Sequence, residues 1–400
     1  MTYKHKDLIL EIKKPVRDEE QLSLLETEED WRKHWWNMPE FSFENTAPKR
    51  RIVVNFLTDE DVEEFKRAID QRFSDKANSL WFPHRERLEN GKYSFGGPKT
   101  GTKYPVCIPS KGRHDVATTG KKLAELGVSF KFFVEQHEGE LYAKHMGEEN
   151  VVVMPFSNLG QGSIPARNFI WEWCKERGHA RHWLMDDNIK AFYRLHCNRR
   201  LRVTGGGIFR AMEDFVDRYE NIAIAGPHHI GFVSDNVTKK PFLLNTRVYS
   251  CSLIKTDLDY RWRGRYNEDT DLCLRMLKDG YCSVVFNALL MVKGATAYSK
   301  GQKGMKGGNT DNVYNTGDHR LAFAQSLVDQ HPDVARITWK FNRWHHEVDY
   351  SPFKRNKLVL KSGVTPTAHV NNYDMELMAK WDPEYEITQE DCDEQDGHDD

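Results

Sequence analysis

Three short polar clusters carry the residue types that chemistry on a charged substrate needs. Asp186-Asp187-Asn188 follows the apolar run His182-Trp183-Leu184-Met185, and the chain turns apolar again at Ile189, Phe192 and Tyr193. Oxygen ligands at a strand end suit Mg2+ or Mn2+, held by one or two carboxylates together with substrate phosphates. The same three residues are also good turn chemistry. Ser110-Lys111-Gly112-Arg113 follows the apolar Val106-Cys107-Ile108-Pro109, and Glu268-Asp269 heads a segment with Leu272, Met276 and Leu277 at helical spacing. A carboxylate at a helix N-terminus is favoured in its ionised, proton-accepting form, although Asp269, Thr270 and Asp271 equally suit a helix cap. Each cluster alone is a weak signal; their order after successive strands groups them.

The elements that must position them read as alternating strands and helices. Strands are expected at 106–109, 130–134, 151–154, 182–185, 222–225, 249–253 and 284–286, with helices at 115–126, from Pro165 to Gly178, and from Asp271 to Gly280. Such alternation predicts βαβ units around a mixed, mostly parallel sheet flanked by helices. Ahead of this core, residues 1–47 read as a polar arm with an aromatic knot at Trp31, Trp35 and Trp36. Residues 50–95 read as a small α+β unit. Its strands are expected at Arg51–Phe56 and Ser79–Pro83, and its helix follows a capping-box-like Thr58-x-x-Asp61. The core spans 104–295, a C-terminal aromatic and basic extension with a helix near 318–328 spans 296–380, and an acidic tail spans 382–400.

Composition narrows the class. Charged residues are 30% and hydrophobic residues 39% of the 400, as in globular proteins that do not enter membranes. No apolar run approaches the ~20 residues a membrane span needs, and the N-terminus lacks the apolar stretch of a signal peptide. Seven cysteines with no Cys-x-x-Cys pair argue for a reduced, cytoplasmic setting and against zinc. The net charge of −2 hides an asymmetry: residues 382–400 hold ten Asp or Glu and no Lys or Arg, so the rest carries 58 − 50 = +8.

Taken together, Ile108-Pro-Ser-Lys-Gly-Arg113, Pro165-Ala-Arg-Asn168, Trp183-Leu-Met-Asp-Asp-Asn188 and Asn267-Glu-Asp-Thr-Asp271 resemble the motifs of GT-A (Rossmann-like) glycosyltransferases. More narrowly, they resemble the TET-associated DNA-base glycosyltransferases of phages and the related base-J glucosyltransferases, over 104–295. The resemblance implies transfer of glucose or arabinose from a UDP-sugar to 5-hydroxymethylcytosine in DNA, with Mn2+ or Mg2+ as cofactor, in the host cytoplasm. It puts Asp187 and Asn188 on the metal, although the family's usual third carboxylate is an asparagine here. Asp186 falls near the ribose or uracil, and Pro109, Ser110, Lys111, Arg113 and Arg167 hold the nucleotide sugar. Asp269, with Glu268 beside it, matches the family's acidic base motif and implies inversion at the anomeric carbon.

The residues expected to meet DNA are basic and interleaved with aromatics. Arg261, Arg263 and Arg265 alternate with Trp262 and Tyr266; Lys303 and Lys306 lie in a Gly-rich stretch; Arg343 and Trp344 lie in the extension. Such patterns meet phosphates and stack on bases. Two rival readings remain open: the same fold acting on a protein, glycan or small molecule, and a non-catalytic DNA-binding module.

Overall fold

The computed structural model describes residues 30–43, 49–74, 77, 79–83, 92–234, 238–264, 266–294, 319–340 and 342–379. Arg265, Lys303, Lys306, the acidic tail and most of the N-terminal arm lie outside the described residues.

In chain order the strands are Tyr93–Gly96 (β1), Val106–Pro109 (β2), Lys131–Val134 (β3), Val151–Val153 (β4), Arg181–Met185 (β5), Ile189–His196 (β6) and Arg199–Val203 (β7). They continue with Ile222–His229 (β8), Phe242–Leu244 (β9), Cys251–Lys255 (β10), Cys282–Lys293 (β11), Ala335–Lys340 (β12), Arg343–Val348 (β13) and Glu376–Ala379 (β14). The helices are Asp59–Ala68 (α1), Thr118–Leu126 (α2), Gly139–Met146 (α3), Ile164–Glu176 (α4), Gly207–Asp217 (α5), Glu268–Lys278 (α6) and Arg320–Gln330 (α7).

Twelve strands form one mixed sheet in the order β14-β1-β7-β6-β11-β8-β10-β5-β2-β3-β4, with β9 paired to β11. The wing β5-β2-β3-β4 is parallel throughout. β10 runs antiparallel between β5 and β8, and β6 and β7 form an antiparallel hairpin. Cys197 and Asn198, both at positive φ, make that hairpin's two-residue turn.

β5 is buried along its whole length, as a strand covered on both faces must be. Trp183 and Met185 enter the core beneath α2 and α5, whereas Leu184 enters the core beneath α4 and α6, so the two-residue strand period divides one segment between two layers. The helices supply matching faces: Phe209, Met212 and Phe215 from α5 on one side, Ile170, Trp171 and Cys174 from α4 on the other. One carboxylate sits inside. Glu213 of α5 accepts from Lys103 N at 2.9 Å, Tyr104 N at 3.2 Å and Trp183 Nε1 at 2.9 Å, which satisfies a group that burial would otherwise penalise.

Flanking segments are woven into this body. Trp35 and Met38 are buried in the main core, where Trp35 stacks on Phe242, and Arg218 lies over the Trp36 ring. β1 and β14 extend the sheet edge, although the sequence placed no strand in either segment.

Two strand expectations fail. Arg51–Phe56 and Ser79–Pro83 form no strand; Ile52, Val53 and Val54 are exposed. A β-branched run favours a strand only where another strand is available to pair with it. The helix between them forms as expected, with Thr58 and Asp61 completing the capping box. Among the described residues no helix is long and apolar enough to cross a membrane.

Candidate active site

The turn from β5 to β6 holds the Asp186-Asp187-Asn188 cluster, and the two neighbouring carboxylates face different surroundings. Asp187 is buried. Ser110 Oγ donates to its Oδ2 at 2.5 Å, and Arg113 Nη1 forms an ion pair with its Oδ1. Tyr142 of α3 supports this pair: its hydroxyl lies 2.7 Å from Ser110 Oγ and accepts from Arg113 N at 3.2 Å. Burial pushes the Asp187 carboxyl upward, opposed by Arg113 and Ser110. Asn188 is buried too; its amide donates to Gly294 O at 2.8 Å, while its Oδ1 has no hydrogen-bond partner among the described residues. Thr119 on α2 locks the turn, donating to Asp186 O at 2.6 Å and accepting from Ile189 N at 2.8 Å.

Asp186 is the open carboxylate, 28% exposed, with Arg167 Nη2 at 3.4 Å and Lys293 Nζ at 3.7 Å. Arg167 rises from the first turn of α4 and is itself buried, its guanidinium 4.5 Å from the Trp262 ring centroid. It reaches Asp269 Oδ1 at 2.7 Å and Glu268 Oε1 at 3.6 Å. One guanidinium therefore joins the strand-end carboxylate to both carboxylates heading α6. Burial opposes the Arg167 charge, but Asp269, Glu268 and Asp186 outweigh it and raise its pKa. Burial also raises the Glu268 carboxyl, with Arg167 opposing and Asp269 adding to the rise. Asn267 at positive φ turns the chain into α6 and donates to Phe323 O at 2.8 Å.

The Ser110-Arg113 loop closes the opposite side. Gly112 has φ 68°, a left-handed conformation that glycine adopts without strain, and its N–H donates to Glu138 Oε1 at 2.7 Å. Lys111 reaches Glu135 Oε2 at 2.8 Å and Asn158 Oδ1 at 2.7 Å. Pro109 ends β2 beneath this loop.

Two of the clusters thus end strands of the parallel wing, β2 and β5, and Arg167 ties the third, at the head of α6, to Asp186. Both Asp187 oxygens accept from protein donors, whereas the Asp186 carboxylate is partly exposed. Among the described residues no group of three or more His, Cys, Asp or Glu is arranged to hold a metal. A Mg2+ or Mn2+ bound through one carboxylate plus phosphate oxygens and water needs only one such residue. Asp186 fits that mode, with Asn188 Oδ1 in the same turn a buried oxygen without a partner among the described residues. Lys293, Glu135, Glu138 and Tyr142 went unmarked in the sequence. The signal for the first two was present, since each is a charged residue ending an apolar strand.

The expected DNA contacts separate. Arg261 pairs with Glu172, and Arg263 pairs with Asp271 at 2.9 Å while half of its side chain stays exposed. Arg343 and Trp344 lie on the β12–β13 hairpin, outside the large sheet.

Comparison with known proteins agrees with the position of these clusters. A family model described as TET-Associated Glycosyltransferase matches residues 104–305, just over half of the 400. No curated protein matches. Among solved structures, the glycosyltransferase GlyE of Streptococcus pneumoniae TIGR4 is similar at 15% identity with a TM-score of 0.21, over 39% of this chain and 34% of its own. This chain thus spans about a third of that structure's length.

Proposed function

The chain belongs to the TET-associated glycosyltransferase family, and from that premise we propose that it moves glucose or arabinose from a UDP-sugar to the hydroxymethyl oxygen of 5-hydroxymethylcytosine in phage DNA. That it is a glycosyltransferase follows from the family; the donor, the acceptor and the stereochemistry are our reading. The observation that carries it is the convergence of Asp186, Glu268 and Asp269 on Arg167, beside the Ser110-Arg113 loop. A transferase needs a charged donor site and a proton acceptor within one sugar's reach, and this cluster supplies both.

In the proposed reaction the acceptor oxygen attacks the anomeric carbon, forming the new O–C1 bond as the bond from C1 to the β-phosphate oxygen breaks. Asp269 takes the acceptor's proton; UDP leaves with the bonding pair. Attack opposite the leaving group inverts the anomeric centre. Arg167 orients Asp269 until the acceptor hydroxyl arrives. Lys293 and Lys111 face the charge of the diphosphate, in keeping with electrostatic stabilisation where charge develops. A divalent cation, when bound, would be held by Asp186 and would neutralise charge on the leaving diphosphate.

The test is mass spectrometry of nucleosides from hydroxymethylcytosine-containing DNA incubated with the protein, Mn2+ and a panel of UDP-sugars. A nucleoside heavier by one hexose or pentose residue is expected. UDP-sugar hydrolysis without a modified nucleoside would move the acceptor to a protein, glycan or small molecule, and neither product would leave a binding module. On Asp269→Asn, transfer is expected to fall at least ~100-fold, the scale of lost general-base catalysis, with DNA binding kept.

A further inference from the structure

We propose that the β12–β13 hairpin is a base-stacking arm, in which Trp339 and Trp344 hold an unstacked base of the acceptor DNA strand away from the sugar-transfer site. This rests on the DNA reading above and adds where and how the strand is gripped. The two tryptophans are directly opposed in the antiparallel register. Their ring centroids are 4.9 Å apart at an interplanar angle of 74°, an edge-to-face pair, yet the residues are 57% and 40% exposed. Water-facing tryptophan forgoes the burial that makes the residue valuable to a fold. Two placed side by side on one face offer π surface to a partner.

The charge of the segment selects that partner. Residues 335–361 contain seven Lys or Arg and two Asp or Glu. Both carboxylates are engaged locally: Glu347 pairs with Arg336 at 2.7 Å and Lys340 at 3.5 Å, and Asp349 accepts from Ser351 N at 2.9 Å. Lys354, Arg355, Lys357 and Lys361 are exposed. Exposed aromatic rings on a segment with an excess of positive charge match a polyanion that carries planar rings, where each base has a face to stack and each link a phosphate to pair. A hydrophobic protein partner would instead call for an apolar rim.

The arm is fixed relative to the candidate base. Leu327 of α7, Val334, Ala335 and Phe353 share one core cluster with Leu274 and Leu277 of α6. Asn267, at the N-terminus of α6, is tied to Phe323 of α7, and His331 Nε2 lies 2.8 Å from Asp271 Oδ1. Tyr266 stacks on Phe323 with centroids 4.0 Å apart. A DNA strand held on the hairpin is therefore held in a fixed frame with Asp269.

The test uses the full chain and short hydroxymethylcytosine oligonucleotides, single-stranded, duplex and single-stranded with abasic sites. Affinity comes from anisotropy; UDP-sugar hydrolysis reports the donor site. The variants are the double Trp339→Ala/Trp344→Ala and the double Trp339→Phe/Trp344→Phe. Wild type is expected to prefer the single strand with bases present. The alanine pair should weaken that binding by at least about tenfold, the scale of losing one stacked base, and raise KM for DNA with donor hydrolysis unchanged. The phenylalanine pair should recover most of the affinity. Equal affinity of wild type and alanine pair removes the arm while leaving the DNA reading intact. Failure of wild type to bind any DNA removes both. A wild-type dimer that the alanine pair converts to monomer, with DNA affinity unchanged, would give this face to a second copy of the chain and overturn the proposal.

Discussion

At the scale of single residues, Asp186 and Asp187 are adjacent in sequence and differ in what they hold. Asp187 is the buried counter-ion of Arg113, and Asp186 is the partly exposed carboxylate between Arg167 and Lys293. Alanine substitution should separate them. Asp187→Ala leaves a buried guanidinium without its partner, which costs about 3–5 kcal/mol, read as a lower urea midpoint. Asp186→Ala should cost less, about 1 kcal/mol or under, because Arg167 keeps Asp269 and Glu268 as partners, yet abolish transfer. Equal destabilisation by the two would refute the division. The sequence reading marked this cluster and assigned the metal to Asp187 and Asn188, without a sign of which carboxylate is the buried one. Which of two neighbouring side chains is sequestered depends on Arg113 and Ser110, far earlier in the chain, and adjacency carries no such information. A second residue, Asp271, was read only as a helix-capping candidate. Burial alone would raise its carboxyl, but His331, Arg263 and Arg275 outweigh it and the net shift is downward. A lowered folded pKa means stability gained above the unfolded carboxylate value and lost as pH falls through the folded one. The wild-type melting temperature should therefore drop on acidification below about pH 4, and Asp271→Asn should show a shallower acid loss from a lower start, about 3 kcal/mol down at neutral pH.

At the scale of elements, the parallel wing was the most legible part because its strands are short apolar runs bounded by glycine, proline or charge. β2, β3, β4 and β5 each fall within a residue or two of expectation. The β6–β7 hairpin was missed: Arg194, Arg199, Arg200 and Arg202 interrupt its apolar pattern, and Cys197-Asn198 is not a usual turn signal. α5 was missed because it opens from Gly205-Gly206 without a side-chain cap, so its start has no sequence mark. One glycine marks a close approach between elements. At Gly226 in β8 an added Cβ would overlap the Cys251 carbonyl of β10, backbone that cannot swing aside. Because β10 lies between β8 and β5, a shift there would reach the strand that ends at Asp186. Gly226→Ala should cost about 1–3 kcal/mol, as overpacking of a filled interior does. Urea denaturation checks this, and Gly280→Ala is a poor control because its positive φ brings strain of its own.

At the scale of the whole molecule, charge decides how the chain meets a polyanion. A net charge of −2 would predict weak repulsion from DNA, yet it averages an acidic segment, residues 382–400, with a remainder of +8. β14 ends at Ala379, so a chain ending at residue 381 keeps every described strand of the sheet. Two effects compete in the intact chain: the basic remainder releases counterions from the phosphates it contacts, and the acidic segment competes with DNA for the same Lys and Arg side chains. Removing the ten carboxylates leaves the first effect alone. The shortened chain should bind DNA more tightly at low salt, by about tenfold if the segment neutralises even one or two phosphate contacts, and its log affinity should fall more steeply with log salt. The two chains should converge near 1 M salt, where screening acts within about 3 Å. Anisotropy titrations of both chains across a KCl series measure the slopes directly. Parallel slopes with equal affinity would mean the acidic segment does not compete at the DNA-binding face. A shortened chain that binds more tightly at every salt concentration by the same factor would point to steric exclusion instead of charge.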